Sequence, residues 1–285
     1  MTETDETTAI SQPRVWAVTL GFNNAADTVA CLRSVLRNQI PNLNLLLVDN
    51  HSKDDTVARV RAELPTVQII RLEDNLGFTR GFNAGIVHAM EQGADYVFML
   101  NNDTIVGEYT LANLLAAGQR EPKAGLLVPK IFYNDRPDVI WSAGARYRRL
   151  PPVIVLRRTK TSDDGRYDRH LELEFATTCA LMLSRRCLEE VGLLDTNFFF
   201  FYDDYDYSLR VRRAGYKIMF VPTARMWHKV SQSTKGQKKP SDFFWTTYGR
   251  SEVVFCRKHE RHRWLTGWVH RWFVLFRLVI ENGLA

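Results

Sequence analysis

The chain has 285 residues, of which 45% are hydrophobic and 25% charged, as is typical of a globular protein with a full core. Its formal net charge of +6 is modest, and its four cysteines form no CxxC pair, which argues against a zinc site or a disulfide framework. No run reaches the roughly 18 apolar residues of a membrane-spanning helix. Residues 1–12 lack the features of a signal peptide, which predicts a disordered tail on a cytoplasmic protein.

Strand-like and helix-like segments alternate through the first half of the chain. The predicted strands are 15–20, 43–48, 67–72 and 96–100, and the predicted helices are 25–39, 54–64 and 79–92. This alternation predicts an α/β fold with a mostly parallel central sheet and helices on both faces.

The second half has a mixed order of predicted elements. The predicted strands are 124–131, 177–183 and 216–221, and two helices, 185–191 and 204–214, each end at a glycine. Residues 146–160 are predicted to form a basic hairpin or loop, and 231–240 a mobile loop. We therefore expect one domain over 13–259, followed by a separate C-terminal segment, 260–285.

Polar residues follow the second predicted strand. Asp49 ends this strand and is followed by Asn50 and Ser52, and an acidic residue at a strand's carboxyl end can accept hydrogen bonds from a ribose or a base. The alternative, that Asp49 caps the loop and Ser52 or Asp54 caps the next helix, has similar weight.

A glycine-rich segment opens the third predicted helix. It contains Asn75, Gly77, Phe78, Arg80 and Asn83. Glycines at a helix start allow a ligand to approach the backbone closely, and an arginine there can bind phosphate. Tight packing of the helix against the sheet is the alternative explanation.

The tetrapeptide 101–104 comes directly after an apolar run. A single carboxylate, Asp103, stands there beside the amides of Asn101 and Asn102. An ordinary turn would favour the same residue types. However, Mg²⁺ or Mn²⁺ bound to a nucleotide needs few protein ligands, because phosphates and waters supply the rest. His228, after a later strand, is a candidate second ligand.

An acidic group follows five consecutive aromatic residues, 198–202. Asp203, Asp204 and Asp206 lie at the start of a predicted helix, where the dipole favours acids. Mutual repulsion and the apolar neighbours act in the opposite direction and can raise the pKa of one carboxyl toward that of a general base. Simple helix capping is the alternative.

Taken together, these motifs resemble those of glycosyltransferase family 2, the inverting nucleotide-sugar transferases with the GT-A fold, and in particular its rhamnosyltransferase-like branch. Val48 to Asp54 resembles the nucleotide-binding motif, and Asn75 to Gly85 the glycine-rich motif. Asn101 to Asp103 stands in place of the DxD motif, with asparagine in its first position. Asp203-Asp204 resembles the family's "ED" pair, with aspartate replacing glutamate.

The resemblance implies a role for each group of residues. Asp204 would be the catalytic base, and Asp103 with His228 would hold Mg²⁺ or Mn²⁺. The residues implied to bind the nucleotide sugar are Thr19, Phe22, Asn23, Asp49, Asn50, Ser52, Asn75, Gly77, Phe78, Arg80, Asn83, Asn101, Asn102 and Asp103. The acceptor or supporting residues would be Asp203, Asp206, Tyr202 and Arg250.

The family branch also implies the donor, the acceptor and the location. The donor would be dTDP-L-rhamnose or otherwise a UDP-hexose, and the acceptor a glycan or polyprenyl-linked glycan of the cell surface. Tryptophans at helical spacing in 260–285 lie opposite basic residues, which suits peripheral contact with the inner face of the membrane. Packing of this helix on the domain or on a second subunit is equally compatible, and the oligomeric state stays open.

Two other functions fit parts of the pattern. A nucleotidyltransferase would carry a glycine-rich basic loop after the first strand, where this chain has residues 21–24 without basic side chains. A non-catalytic nucleotide-sugar-binding module would not need the acids at 103, 204 and 206. The basic residues follow no nucleic-acid-binding motif, which argues against a nucleic-acid partner.

Overall fold

The computed structural model describes residues 12–149, 152–156, 160–229 and 242–259. Its first half contains the alternating elements that the sequence predicts, with ends shifted by up to three residues. They are β1 (Val15–Gly21), α1 (Ala25–Leu36), β2 (Leu43–Asp49), α2 (Thr56–Glu63), β3 (Gln68–Arg71), α3 (Gly77–Glu91) and β4 (Tyr96–Asn101). Residues 1–11 of the predicted tail 1–12, and the segments 231–240 and 260–285, lie outside the described residues.

The second half contains more short strands than the sequence predicts. Its elements are β5 (Thr104–Val106), α4 (Thr110–Arg120), β6 (Ala124–Tyr133), β7 (Val139–Ser142), β8 (Ala145–Arg149), β9 (Pro152–Leu156), β10 (Thr161–Ser162), β11 (Leu171–Leu173), β12 (Ala180–Ser184), α5 (Arg185–Val191), α6 (Asp203–Arg213), β13 (Lys217–His228) and α7 (Asp242–His259). The predicted basic hairpin is the antiparallel pair β8–β9.

One large mixed sheet organises these elements. Strands β3, β2, β1 and β4 pair in parallel, in that order. Strand β12 then runs antiparallel between β4 and β6, and β13 runs parallel to β6. The predicted α/β fold with an open central sheet is confirmed, and the parallel arrangement is confined to β1–β4 and the β6–β13 pair.

Helices cover both faces of this sheet. Val18 packs with α3 residues such as Phe82 on one face, whereas the preceding residue Ala17 packs with α1 residues such as Leu32 on the other. Successive side chains of a strand point to opposite faces, so a strand buried on both faces reads as a continuous apolar run. Polar residues therefore stand at the ends of the central strands, where the chain leaves the core.

Strand β13 is longer than predicted, because it continues past Pro222 to His228. Its pairing with β6 shifts register between Val221 and Arg225, which places the proline in the irregular stretch. Proline cannot donate to a ladder and is tolerated at such a bulge. The extension brings His228 opposite Thr104 of β5.

The sequence analysis predicts no helix over the residues of α7, yet α7 supports the acidic segment, which we define as residues 198–206. The Ser251 hydroxyl donates a hydrogen bond of 2.7 Å to the Phe200 carbonyl. Lys258 and His259, in the last turn of α7, pair with Asp206 of α6. Within the described ranges, no helix has the length and apolarity needed to cross a membrane.

Candidate active site

Asp103 and His228 lie side by side, as the resemblance implies. Asp103 occupies the turn between β4 and β5, and the pairing of β5 with β13 brings His228 beside it. The distance from His228 Nε2 to Asp103 Oδ1 is 3.1 Å. The backbone N–H of Lys229 also donates to the Asp103 carbonyl at 2.9 Å, which fixes the two loops to each other.

The polar atoms of this pair are incompletely satisfied. Asp103 Oδ1 faces the His228 imidazole, whereas the buried His228 Nδ1 has no hydrogen-bond partner among the described residues. Although burial alone would lower the pKa of His228, the neighbouring Cys179 and Asp103 side chains raise it to about 10. The imidazole and the carboxylate are therefore close enough to share a proton.

This donor set fits a divalent cation that is shared with a substrate. Within the part of the chain that the structure describes, no group of three or more His, Cys, Asp or Glu side chains could hold a metal ion. One carboxylate and one imidazole are too few for an all-protein site. They suffice where a diphosphate and waters supply the remaining ligands of Mg²⁺ or Mn²⁺.

The end of β2 forms a second polar group beside this pair. Asp49 is fully buried, and its carboxylate lies 3.2 Å from the backbone nitrogen of Ser52. The Ser52 hydroxyl in turn accepts a hydrogen bond from the backbone of Asn23 at 2.8 Å. Arg71, at the end of the neighbouring strand β3, places its Nε 3.4 Å from Asp49. Sequence analysis missed Arg71, although its position at a parallel strand's end was a usable signal.

The turn after β1 contributes further predicted donor residues. Asn102 donates through Nδ2 to the Thr28 hydroxyl at 2.9 Å and to the Asn23 carbonyl at 3.3 Å, so β4 and the β1–α1 turn are joined. Phe22 is 47% exposed, which leaves its ring available to a ligand. Thr19, in contrast, is fully buried within β1.

The glycine-rich segment makes extensive internal contacts. Asn50 donates through Nδ2 to Asn75 Oδ1 at 2.9 Å and to the Gly77 carbonyl at 3.1 Å. Gly77 has φ +80°, and a Cβ there would lie 2.5 Å from the ring of Phe199. At Gly81, a Cβ would lie 2.6 Å from Leu20. The close packing that the alternative explanation predicts is therefore present, while the Arg80 side chain is exposed.

The same segment holds the acidic segment in place. The Phe78 N–H donates to the Phe199 carbonyl at 2.8 Å. Asn83 exchanges two hydrogen bonds with the backbone of Leu194, 111 residues away, at 2.8 and 3.1 Å. The two motifs that the sequence analysis treats separately are thus a single packed unit.

Asp203 and Asp204 begin α6 on this support. Asp203 is buried and accepts a hydrogen bond of 2.9 Å from the Thr178 hydroxyl. Burial raises the pKa of Asp203 to about 6, despite the lowering effect of that hydrogen bond. Burial, together with the adjacent charge of Asp203, raises the pKa of Asp204 well above its usual range. A carboxyl in this state is suited to accept a proton near neutral pH.

Two consecutive residues connect the acidic groups. Thr178 bonds to Asp203, and the carbonyl of the next residue, Cys179, accepts a hydrogen bond from the backbone of Asn101 at 2.9 Å. Asn101 is the last residue of β4, two positions before Asp103. The start of α6 and the β4–β5 turn therefore meet at the same end of β12.

The remaining predicted acceptor residues serve mainly to join α6 to α7. Asp206 is fully buried and pairs with Arg210, Lys258 and His259, each at 2.7 Å. Although burial alone would raise it, these cationic partners hold the pKa of Asp206 below its usual range. The Tyr202 hydroxyl lies 3.1 Å from that of Tyr248 on α7. Arg250, also on α7, is exposed.

The α/β fold, with one acidic group at Asp103 and a second at the start of α6, is typical of nucleotide-sugar transferases. Residues 17–192 match the model of the family described as glycosyl transferase family 2. This match covers more than half of the chain, which therefore belongs to glycosyl transferase family 2, as its sequence motifs predict.

Two of the relatives carry names that describe rhamnosyl transfer. The chain is 25% identical over 265 residues to the N-acetylglucosaminyl-diphospho-decaprenol L-rhamnosyltransferase of Mycobacterium tuberculosis, covering 85% of this chain and 81% of the relative. It is 21% identical to the dTDP-rhamnosyl transferase RfbF of Shigella flexneri, covering 77% of this chain and 70% of the relative.

Solved structures of glycosyltransferases share the fold. The crystal structure of GalNAc-T7 with UDP, GalNAc and Mn²⁺ matches with a TM-score of 0.61 at 15% identity, over 77% of this chain and 44% of that one. The mannosyltransferase PcManGT from Pyrobaculum calidifontis, in complex with GDP-Man and Mn²⁺, gives 0.59 at 17% identity, over 88% of this chain and 65% of that one. The match spans less than half of the GalNAc-T7 chain, and these likenesses bear on the fold alone.

Proposed function

We propose that this protein is an inverting rhamnosyltransferase, which moves L-rhamnose from dTDP-L-rhamnose onto a hydroxyl of a lipid-linked glycan. The names of the mycobacterial and Shigella relatives support both the donor and the acceptor class. A UDP-hexose is the second candidate donor, because the site residues fix a nucleoside diphosphate more clearly than they fix a sugar.

In this reaction, Asp204 accepts the proton of the acceptor hydroxyl. The acceptor oxygen forms a bond to the anomeric carbon while the bond to the diphosphate breaks on the opposite side, so the configuration inverts. Only one catalytic carboxylate is needed, in contrast to the pair in a glycosidase. The Thr178–Asp203 hydrogen bond holds the helix start that carries this base.

The donor side would be formed by the residues at the strand ends. Asp49 and Ser52 bind the nucleoside, and the exposed ring of Phe22 is placed to stack on the base. Asp103 and His228 would hold Mg²⁺ or Mn²⁺, which when bound neutralises charge on the diphosphate. The observation that carries the proposal is that the Asp103 turn and the start of α6, which bears Asp204 with its raised pKa, are bonded to the consecutive residues Cys179 and Thr178.

The direct test is turnover with defined substrates. The purified protein is incubated with Mn²⁺, a polyprenyl-diphosphate-linked N-acetylglucosamine and either dTDP-L-rhamnose or a UDP-hexose. We expect release of dTDP that depends on the acceptor, and an inverted anomeric signal in the product by NMR. The UDP-hexose serves as the matched control donor. Release without an acceptor, or a retained configuration, would contradict the proposal.

We also propose peripheral contact with the cytoplasmic membrane face through residues 260–285. A lipid-linked acceptor requires the site to lie close to a bilayer, and the aromatic and basic composition of this segment suits an anionic surface. Flotation with anionic and with neutral liposomes, for the full chain and for a chain ending at Arg261, measures this contact. Equal flotation of both chains would contradict it.

A further inference from the structure

Lys229 lies next to both predicted metal ligands but is not itself one of the predicted site residues. It directly follows His228, at the end of β13. Its backbone N–H donates to the carbonyl of Asp103 at 2.9 Å, so its main chain is attached to the β4–β5 turn. Its side chain is 22% exposed, so it is partly shielded from solvent.

The ammonium group reaches across to a different element. It pairs with the carboxylate of Asp27, in the first turn of α1. The other oxygen of Asp27 accepts a hydrogen bond of 2.6 Å from Asn24 Nδ2. Asn24 belongs to the turn after β1 that also carries Asn23, which bonds to Ser52 and Asn102. Lys229 thus links the Asp103 turn to the turn that borders the nucleoside-binding residues.

If Asp49 and Ser52 bind the nucleoside and Asp103 faces the phosphates, the diphosphate of the donor must lie near these two turns. A diphosphate is strongly anionic, and its charge increases at the leaving oxygen when the sugar departs. A buried charge is stable only when it is paired. The Asp27 carboxylate satisfies that requirement for Lys229 while no phosphate is present.

We propose that Lys229 exchanges its partner, leaving Asp27 to pair with the terminal phosphate of the donor and of the departing nucleoside diphosphate. This inference rests on the proposed function. No covalent bond to the lysine forms; the electron pair of the breaking C–O bond goes to the phosphate oxygen, and the ammonium group pairs with that charge. Asp27 keeps the lysine in place between turnovers.

The test measures Kd by titration calorimetry with two probes, dTDP and dTMP, at fixed Mn²⁺ and again in EDTA. For Lys229→Met, we expect dTDP to bind about tenfold more weakly, as for loss of a charge-assisted hydrogen bond. The effect on dTMP should be much smaller, because it lacks the terminal phosphate. A purely structural defect would weaken both probes equally, and that result would overturn the inference.

Lys217→Met is the matched control. Lys217 stands at the opposite end of the same strand and forms a comparable ion pair with Glu121, at 2.7 Å. The Lys217→Met variant should keep the Kd values of dTDP and dTMP within about twofold of those of the wild type, as expected for a surface pair. Asp27→Asn frees the lysine, so dTDP should bind as tightly as in the wild type or more tightly. If Asp27→Asn weakened dTDP as much as Lys229→Met, the ion pair would be a scaffold and the exchange would be wrong.

The two proposals fail in different ways. If dTDP binds the wild type and Lys229→Met equally, only the role of Lys229 is wrong. If dTDP does not bind the wild type but UDP or GDP does, the proposed donor is wrong, and the same variants are compared with that nucleotide and its monophosphate. If no nucleoside diphosphate binds, both the proposed function and the role of Lys229 are overturned.

Discussion

Asp103 and Asp206 are both shielded carboxylates near the same cleft, but the protein treats them differently. Asp206 pairs with Arg210, Lys258 and His259 of α6 and α7. Asp103 has a single ion-pair partner among the described contacts, the imidazole of His228. A buried charge that several partners of the fold neutralise contributes to structure, whereas one with a single partner has capacity left for a ligand. Asp204, with no cation paired to it in the described contacts and a raised pKa, belongs with Asp103.

The largest effect is expected at Asp204. Asp204→Asn removes the proposed base, so transfer should fall by about 10²–10⁴-fold while donor binding is kept. Acceptor-dependent dTDP release and calorimetric binding of dTDP measure the two quantities. Near-normal turnover would place Asp204 with Asp206 among the structural acids.

Asp103→Asn should separate ligand binding from stability. The amide keeps the size of the side chain but binds a divalent cation poorly, so the tightening of dTDP binding by Mn²⁺ should drop by about tenfold or more. Because the described contacts of the Asp103 carboxylate comprise a single ion pair, with His228, the melting temperature should fall by less than for Asp206→Asn. A large loss of stability, without a loss of the Mn²⁺ effect, would reverse the comparison with Asp206.

Asp206→Asn should show the opposite pattern. Removing one member of a buried charge cluster leaves Arg210, Lys258 and His259 without their shared partner, which costs about 3 kcal/mol in the free energy of unfolding. Chemical denaturation of the wild type and of the variant measures the difference. Binding of dTDP should persist at temperatures where the variant is folded. Loss of dTDP binding with stability intact would show that Asp206 contacts the ligand.

The pH dependence of turnover sharpens the assignment of Asp204. The base must be ionised, and a raised pKa means that it becomes protonated on acidification while ordinary carboxylates are still charged. The value of kcat/KM should therefore fall on acidification before ordinary aspartates are protonated. Asp203→Asn removes the adjacent charge that helps to raise the pKa of Asp204, so the acid limb should move to lower pH. A shift to higher pH would contradict this coupling. The profile of kcat/KM for the wild type and the variant decides between these outcomes.

The smallest effect is expected at Gly77. Gly77→Ala combines an unfavourable φ with a clash against the Phe199 ring, and should cost about 1–3 kcal/mol of stability. Gly192→Ala is the matched control, since Gly192 has φ +82° with nothing within 4 Å of its would-be Cβ. Thermal melting of both variants isolates the clash. Equal destabilisation would mean that the contact with Phe199 contributes nothing.

The parallel half of the fold could be predicted from the sequence because each element carries a local signal. Strands β1, β2 and β4 are largely buried on both faces, so they read as apolar runs, and their polar ends mark the site. The residue types alone made His228 a candidate partner of Asp103, and the resemblance to the family strengthened that pairing. The structure confirms that they lie side by side.

The rest depended on contacts between distant residues. The local sequence pattern predicts that strand β13 ends at Val221, because Pro222 interrupts the pattern. In the structure, its pairing with β6 resumes at Arg225. The aromatic and β-branched residues of α7 are weak helix formers, and its stability comes from packing on the acidic segment. The support of the 198–204 segment by α3, more than a hundred residues away, could not be read from either motif.

The adjacency of Thr178 and Cys179 has a geometric consequence for catalysis. A displacement with inversion requires the attacking and departing atoms to lie in line, at a separation that stays constant while substrates enter and leave. Here the start of α6 is bonded to Thr178, and the end of β4 is bonded to Cys179. The α-carbons of these two consecutive residues are about 3.8 Å apart and are joined by one planar amide. The separation of the two halves of the reaction is therefore set by the backbone at one end of β12.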